Sequence, residues 1–138
     1  LSIAIFSAWK FIGNAFLYYF IGLQNIPDTY MEAARVDGAS RWQSLFKIQI
    51  PMLTPTIFFV VVTTLINCFQ MFDETYFLTK GGPGVSSQTV AMHIYRKGFQ
   101  EYHFGYASTL GLILFVIVLL ITILMFRYQQ KWVTYDTE

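Results

Sequence analysis

The polar stretch EAARVDGASRWQSLFKIQIP, residues 32–51, lies between two long apolar runs. These runs cover residues 1–23 and about 53–72, and a third apolar run covers about 107–126. A transmembrane helix needs about 20 mostly apolar residues to cross the roughly 30 Å hydrocarbon layer of a bilayer. The sequence therefore predicts an all-α, polytopic transmembrane helical bundle with three spans in this chain.

The composition agrees with a protein of the bilayer. Of the 138 residues, 55% are hydrophobic and 12% are charged, whereas soluble domains carry about 25% charged residues. The net charge of +1 is too small to favour a nucleic-acid partner. The single cysteine, Cys68, excludes a disulfide framework. Because Leu1 opens inside an apolar stretch without a basic leader, we expect the C-terminal part of a longer protein.

The stretch between the first two spans is predicted to form two short helices joined by a glycine turn. Thr29 and Glu32 have the spacing of a capping box at a helix start, and Ser40 and Gln43 repeat it. Gly38 stands between them, where a helix end favours a left-handed backbone that glycine adopts at least cost. Residues 28–51 therefore predict a helix, a turn and a second helix.

Three interpretations of this loop remain open from the residues alone. It is a linker on the bilayer surface, a DNA-binding helix-turn-helix, or a docking element that exposes Glu32, Arg35 and Phe46 to a partner. The acidic residues in the loop offset its basic ones, which makes a poor grip on phosphates and disfavours DNA. Pro51 is expected to end the second helix and lead into the second span.

The loop also resembles a known motif. Glu32-Ala33-Ala34, Gly38 and the later Ile48, Ile50 and Pro51 resemble the EAA loop of permease subunits of binding-protein-dependent ABC importers. The wider string IPDTYMEAARVDGASRWQSLFKIQIP is similar to the carbohydrate-uptake group of these permeases. The resemblance continues through FLTKGGPG, Thr89, IYRKGFQ and GYAST, and covers about residues 9–128.

This resemblance implies a transport subunit that is not an enzyme and needs no cofactor. In that family the EAA loop lies in a cleft of a cytoplasmic ATPase subunit and couples ATP-driven closure to movement of the spans. The implied coupling residues are Glu32, Ala33, Ala34, Asp37, Gly38, Phe46 and Pro51. The implied partners are ABC ATPase subunits, a second permease subunit and an extracytoplasmic solute-binding protein. The chain has no G-x-x-x-x-G-K-[ST] loop, so ATP hydrolysis is expected on a partner chain.

Polar residues recur at helical spacing in two of the predicted spans. One stripe comprises Ser7, Lys10, Asn14 and Tyr18, and the other comprises Thr63, Asn67, Gln70 and Glu74. Such stripes face a cavity or hold helices together by hydrogen bonds. We expect a substrate path for a sugar or related polyol along Asn14, Thr63, Asn67 and Gln70, with hydroxyls and carboxamides to match solute hydroxyls. Lys10 is expensive in midspan, at about 2.5–3.5 kcal/mol, unless it is paired or hydrated.

Between the second and third spans lies a loop with a turn signal at Gly81-Gly82-Pro83-Gly84 and a predicted short helix over residues 88–100. Its histidines, His93 and His103, have no accompanying cluster of ligands, so no metal site is expected. Asp73 and Glu74 have no accompanying nucleophile, so no catalytic site is expected.

Basic residues predict the orientation in a bacterial plasma membrane. The EAA loop and the C-terminal tail carry Arg35, Arg41, Lys47, Arg127 and Lys131, against Lys80, Arg96 and Lys97 in the other loop. The positive-inside rule therefore places the EAA loop and the C-terminus in the cytoplasm. A channel or passive carrier is the alternative in which the loop only links spans. A membrane-tethered interaction protein is the alternative in which the stripes only pack helices.

Overall fold

The computed structural model describes residues 2–129, which form helices joined by turns and short loops, with no strand among them. The eight α-helices of that part are α1 (Ser2–Gln24), α2 (Asp28–Val36), α3 (Arg41–Ser44), α4 (Ile50–Met52), α5 (Thr54–Phe69), α6 (Asp73–Thr79), α7 (Val90–Tyr95) and α8 (Phe104–Gln129). Two π-helical turns, Leu45–Gln49 and Arg96–Gln100, continue α3 and α7. The all-α prediction is confirmed. Leu1, at the start of the first predicted span, and Lys131, an expected anchor, lie outside the described residues.

Two of the three predicted spans are single helices of membrane-crossing length and composition. These are Ser2–Gln24 and Phe104–Gln129. The second predicted span is shorter than expected, because α5 has 16 residues and ends at Phe69. It reaches the length of a span only together with the preceding helix, Arg41–Met52, to which it is bent by 58°.

The bend lies at Leu53 and has a proline as its physical cause. Pro55 lacks a backbone N–H, and its ring clashes with the carbonyl four residues earlier, that of Pro51. The hydroxyl of Thr54 donates to that carbonyl oxygen at 2.7 Å, so the freed acceptor is satisfied. The expectation that Pro51 ends the second loop helix is therefore wrong. The helix continues through Pro51 to Met52, and Pro55 sets the break.

Helices α1 and α5 pack antiparallel at close range. At the end near the EAA loop, a Cβ on Gly22 would lie 2.7 Å from Oγ1 of Thr56, closer than real Cβ atoms come. Further along, the rings of Tyr18 and Phe59 meet edge to face with centroids 5.2 Å apart. The missing side chain at Gly22 is what lets the two backbones approach.

Helix α8 packs on the other side of α5 through a small apolar core. Phe58 and Val62 are buried there, with Ile66 and Met125 packed against them. The ring of Phe58 also meets that of Phe126 edge to face at 5.1 Å. Most of the remaining surface of α1 and α8 is exposed and apolar, as is usual for helices that face lipid or further spans.

The segment between α5 and α8 folds back on the end of α5 and is held by hydroxyl hydrogen bonds. The Thr89 hydroxyl donates to the carbonyl of Met71 at 2.7 Å, and the Thr79 and Ser87 hydroxyls are 2.7 Å apart. The predicted glycine turn is present, with left-handed backbones at Gly81 and Gly84. The helix predicted over residues 88–100 is confirmed as α7 and its π-helical turn, from Val90 to Gln100.

Candidate coupling loop and substrate path

The EAA loop forms the two helices that its sequence predicts, with Gly38 at the turn. Gly38 has φ +73°, a left-handed conformation. A Cβ built there would meet nothing within 4 Å, so the backbone angle rather than space requires glycine. The amide of Ala39 donates to the carbonyl of Ala34 at 2.9 Å, which closes the end of α2.

Of the two predicted capping boxes, one is confirmed and one is wrong. The Ser40 hydroxyl accepts from the Gln43 amide, and the Gln43 side chain accepts from the Ser40 amide at 2.8 Å. Thr29 caps nothing, because α2 already begins at Asp28 behind Pro27. Thr29 therefore lies inside the first turn, where its backbone is helical and its side chain cannot act as the cap.

Burial divides the seven predicted coupling residues. Ala34 is buried inside the loop, and Pro51 is half-buried at its root. The other five, Glu32, Ala33, Asp37, Gly38 and Phe46, are exposed. The contact between the Gln49 amide and the Met31 sulfur, at 3.6 Å, ties the second loop helix to the first. The five exposed coupling residues therefore lie on two helices that contact each other.

Two further apolar residues extend the exposed face. Val36 is 88% exposed, and Trp42 is 70% exposed and stacks on the ring of Phe46 with centroids 6.1 Å apart. Exposed apolar groups grouped in this way mark an interaction surface. The helical spacing of Trp42 and Phe46 indicates their shared face, whereas nothing in the sequence signals Val36.

The predicted path residues differ in what their side chains can still bind. The carboxamides of Asn14, Asn67 and Gln70 are exposed and make no hydrogen bond within residues 2–129. The hydroxyl of Thr63 donates to the carbonyls of Phe59, at 2.8 Å, and Val60 in its own helix. Its proton is therefore used, and Thr63 can only accept a hydrogen bond from a solute.

Parts of the polar stripe of α1 contact the segments that pack against this helix. Ser7 is buried, with its hydroxyl 4.0 Å from the sulfur of Met71. Tyr18 packs on Phe59 at the other end of the stripe. The stripe therefore combines packing contacts at its ends with a free carboxamide, that of Asn14, between them.

The lysine in midspan is paired. The ammonium of Lys10 donates to Oε1 of Glu74 at 2.8 Å and thereby joins α1 to the start of α6. Glu74 is 5% exposed and Lys10 is 47% exposed. The hydrogen bond from Lys10 holds the pKa of the Glu74 carboxyl below its ordinary value, so the carboxylate stays ionised at neutral pH. The two stripes therefore meet at this ion pair, which neutralises both charges.

Comparison with known proteins identifies the family. The sequence profile described as "Binding-protein-dependent transport system inner membrane component" matches residues 1–134. The chain belongs to this family of ABC importer permeases. It is thus a non-enzymatic, multi-pass membrane component of a transport system, which confirms the family that the EAA motif indicates.

Individual permeases of this family are 32–39% identical to this chain. The probable ABC transporter permease protein YesP of Bacillus subtilis is 39% identical over 99% of this chain and 45% of its own length. The sn-glycerol-3-phosphate transport system permease protein UgpA of Agrobacterium fabrum is 38% identical over 94% of this chain and 44% of its own. A putative ABC transporter permease of Caldicellulosiruptor is 32% identical over 85% of this chain and 84% of its own length. The chain therefore spans less than half the length of YesP and UgpA.

Proposed function

We propose that this permease component forms part of the translocation path of a bacterial ATP-driven importer and receives motion from an ATPase through residues 28–51. The observation that carries the proposal is the single-residue break at Leu53. The loop helix, Arg41–Met52, and the span helix, Thr54–Phe69, meet there with a 58° bend. Movement of the exposed face around Phe46 would therefore be transmitted to α5 through the short loop helix, which acts as a lever.

The proposed partners follow from the family and from the exposed face of the loop. ABC ATPase subunits would bind the face of Glu32, Asp37 and Phe46 in the cytoplasm. A second permease subunit would complete the path, and an extracytoplasmic solute-binding protein would deliver the solute at the opposite side. In the orientation that we propose, the EAA loop and the C-terminus lie in the cytoplasm of a bacterial cell.

The proposed solute is a sugar or a related polyol. The carboxamides of Asn14, Asn67 and Gln70 can each donate and accept hydrogen bonds, which suits solute hydroxyls. Lys10 and Glu74 compensate each other's charge at 2.8 Å. The UgpA relative is named for glycerol 3-phosphate, a phosphorylated polyol.

Substitution of Gly38 tests the coupling role. In the complete importer reconstituted in vesicles, we expect Gly38→Val to abolish ATP-dependent uptake of a radiolabelled solute, chosen from a panel of sugars and glycerol 3-phosphate. The reason is that a β-branched residue at φ +73° is strained by about 1–2 kcal/mol or more. Glu32→Lys reverses an exposed charge on the docking face and should have the same effect.

The matched control is Gly38→Asn, because asparagine tolerates the left-handed conformation. We expect it to retain most of the uptake. Assembly with the ATPase is measured by co-purification for every variant. If Gly38→Val and Glu32→Lys both transport like the unmodified importer, the loop is only a linker and the coupling proposal is wrong.

A further inference from the structure

A polar cavity lies in the segment between α5 and α8, apart from the proposed path and the EAA loop. It has a volume of about 390 Å³ and is enclosed by α6, the glycine turn, α7 and the following π-helical turn. Its lining includes the buried residues Gly81 and Met92 and the half-buried rings of Tyr76 and Tyr95. A Cβ on Gly81 would approach the Met92 side chain to 3.2 Å, so this part of the lining is tightly packed.

The polar lining of this cavity, as the described residues form it, combines two cationic side chains with neutral polar ones and contains no carboxylate. It comprises Lys80, Arg96, Gln88, Gln100, Tyr76 and Tyr95. Within residues 2–129, no carboxylate lies within 4.0 Å of the Lys80 ammonium. Arg96 reaches Glu101 only through Nε at 3.4 Å, while Lys97 holds the same carboxylate at 2.6 Å. The cavity therefore carries an excess of positive charge.

The backbone around Lys80 is held in place before any ligand arrives. Lys80 has φ +50°, a left-handed angle that is uncommon for a residue with a side chain. The turn after it is fixed by the Ser87 hydroxyl, which donates to the carbonyl of Gly82 at 2.8 Å, and by the Gly82 amide, which donates to that of Thr79 at 2.8 Å. A strained residue kept in place by its surroundings at the edge of a polar cavity is typical of binding sites.

We propose that this cavity binds a phosphate group, with Lys80 and Arg96 as its charged ligands. A guanidinium, an ammonium and two carboxamides supply the donors that phosphate oxygens require. Two cationic side chains without a carboxylate in the lining favour an anion over a neutral polyol, which needs no positive charge. The phosphate comes from a free phosphorylated solute or from a lipid headgroup, and the experiment separates these two sources.

The test measures binding of inorganic phosphate to the complete importer in phosphatidylcholine nanodiscs. Phosphate bound to the ATPase subunits is suppressed by filling their nucleotide sites with a non-hydrolysable ATP analogue. We expect saturable binding of radiolabelled phosphate by equilibrium dialysis. Arg96→Gln and Lys80→Asn should each weaken it roughly tenfold, since each removes a charged hydrogen bond. Asparagine is chosen at position 80 because it accepts the left-handed backbone.

The double variant Lys97→Gln/Glu101→Gln is the matched control, because it removes an ion pair from the same segment, leaves the net charge unchanged and does not alter the lining. We expect its affinity for phosphate not to fall below that of the unmodified importer, because Lys80 and Arg96 keep their charges. Phosphate binding that is absent, or equal in all variants, overturns the proposal.

A second arm identifies the source of the phosphate. The measurement is repeated in nanodiscs that contain equal amounts of phosphatidylcholine and phosphatidylglycerol. If the anionic lipid displaces inorganic phosphate from this cavity of the unmodified importer, and not only from another part of the importer's surface, the cavity holds a lipid headgroup. If phosphate binding is unchanged, the site holds a free phosphorylated solute.

Discussion

At the scale of single residues, the ion pair of Lys10 with Glu74 decides how a charge is accommodated in the first span. Removing either partner of a buried pair leaves the other without compensation, which costs more than the pair itself contributes. Here the carboxylate is the buried member, so the loss of Lys10 is the more harmful change. The pair connects residues 64 positions apart and so fixes α6 against α1.

Replacing Lys10 should therefore destabilise the protein, and replacing both partners should do so less. We expect Lys10→Met to lower the stability of the assembled importer by about 1–3 kcal/mol, below the range for fully buried pairs because Lys10 is half exposed. The double variant Lys10→Met/Glu74→Gln should recover part of that loss. Thermal unfolding followed by gel filtration measures these two variants and Glu74→Gln alone, and a loss in the double variant equal to the sum of the two single losses would contradict the pairing.

The same pair predicts a dependence on pH. The pKa of Glu74 in the folded protein lies below its ordinary value of 4.5. The stabilisation by the pair is therefore complete above that ordinary value and is lost as the pH falls through the lowered pKa. The measurement is the stability of the importer as the pH is lowered. The Lys10→Met/Glu74→Gln variant, which lacks the carboxylate, serves as the comparison.

Residue-level predictions from sequence succeed where the local chain decides the conformation. Gly38 and the Ser40–Gln43 box are set by neighbours within a few residues, and both are confirmed. Thr29 fails because the N-cap is Pro27, so the helix starts two residues earlier than predicted, a small shift that the spacing of a capping box does not resolve. The partner of Lys10 cannot be read from spacing, since it comes from another helix.

At the scale of helices, the contact between α1 and α5 is set by a glycine at the base of the coupling lever. Gly22 faces Leu53, the residue at the break between the loop helix and α5, and Thr56 in the first turn of α5. A side chain at this position would push the two helices apart where the break allows them to bend. The glycine therefore links the packing of the spans to the geometry of the proposed lever.

Gly22→Leu should separate these helices and destabilise the importer. Its Cβ would lie 2.7 Å from Thr56 Oγ1, and overpacking of this kind costs about 1–3 kcal/mol. Gly13→Leu is a matched control in the same helix, because a Cβ at Gly13 meets nothing within 4 Å. We expect a lower melting temperature for Gly22→Leu alone, and equal melting temperatures would show that the contact at Gly22 is not tight.

At the scale of the whole molecule, the proposed solute path would have one wall in the described part of this chain. Asn14 and Asn67 lie on two helices that pack against each other, and within residues 2–129 neither carboxamide makes a hydrogen bond. The exposed apolar surface of α1 and α8 leaves room for further spans and for the second permease that we propose.

Asn67→Leu should weaken solute transport while assembly and ATP hydrolysis persist. Loss of one hydrogen bond predicts a roughly tenfold higher solute concentration for half-maximal uptake. Thr63→Val should have a smaller effect, because the Thr63 proton is already bonded within its own helix. Cys68→Leu, an exposed neighbour on a different face, is the control. Uptake of the same solute panel is measured for all three variants. An unchanged uptake profile for Asn67→Leu would show that the polar stripe only packs helices.

The sequence by itself determined the helical class, the apolar spans, the loop with its left-handed glycine and the family. Those features depend on composition and on residues close together along the chain. Only the tertiary structure decided that Glu74 neutralises Lys10 and that α1 meets α5 closely at Gly22. These depend on how helices cross and which side chains then meet, and such contacts join residues that no local pattern relates.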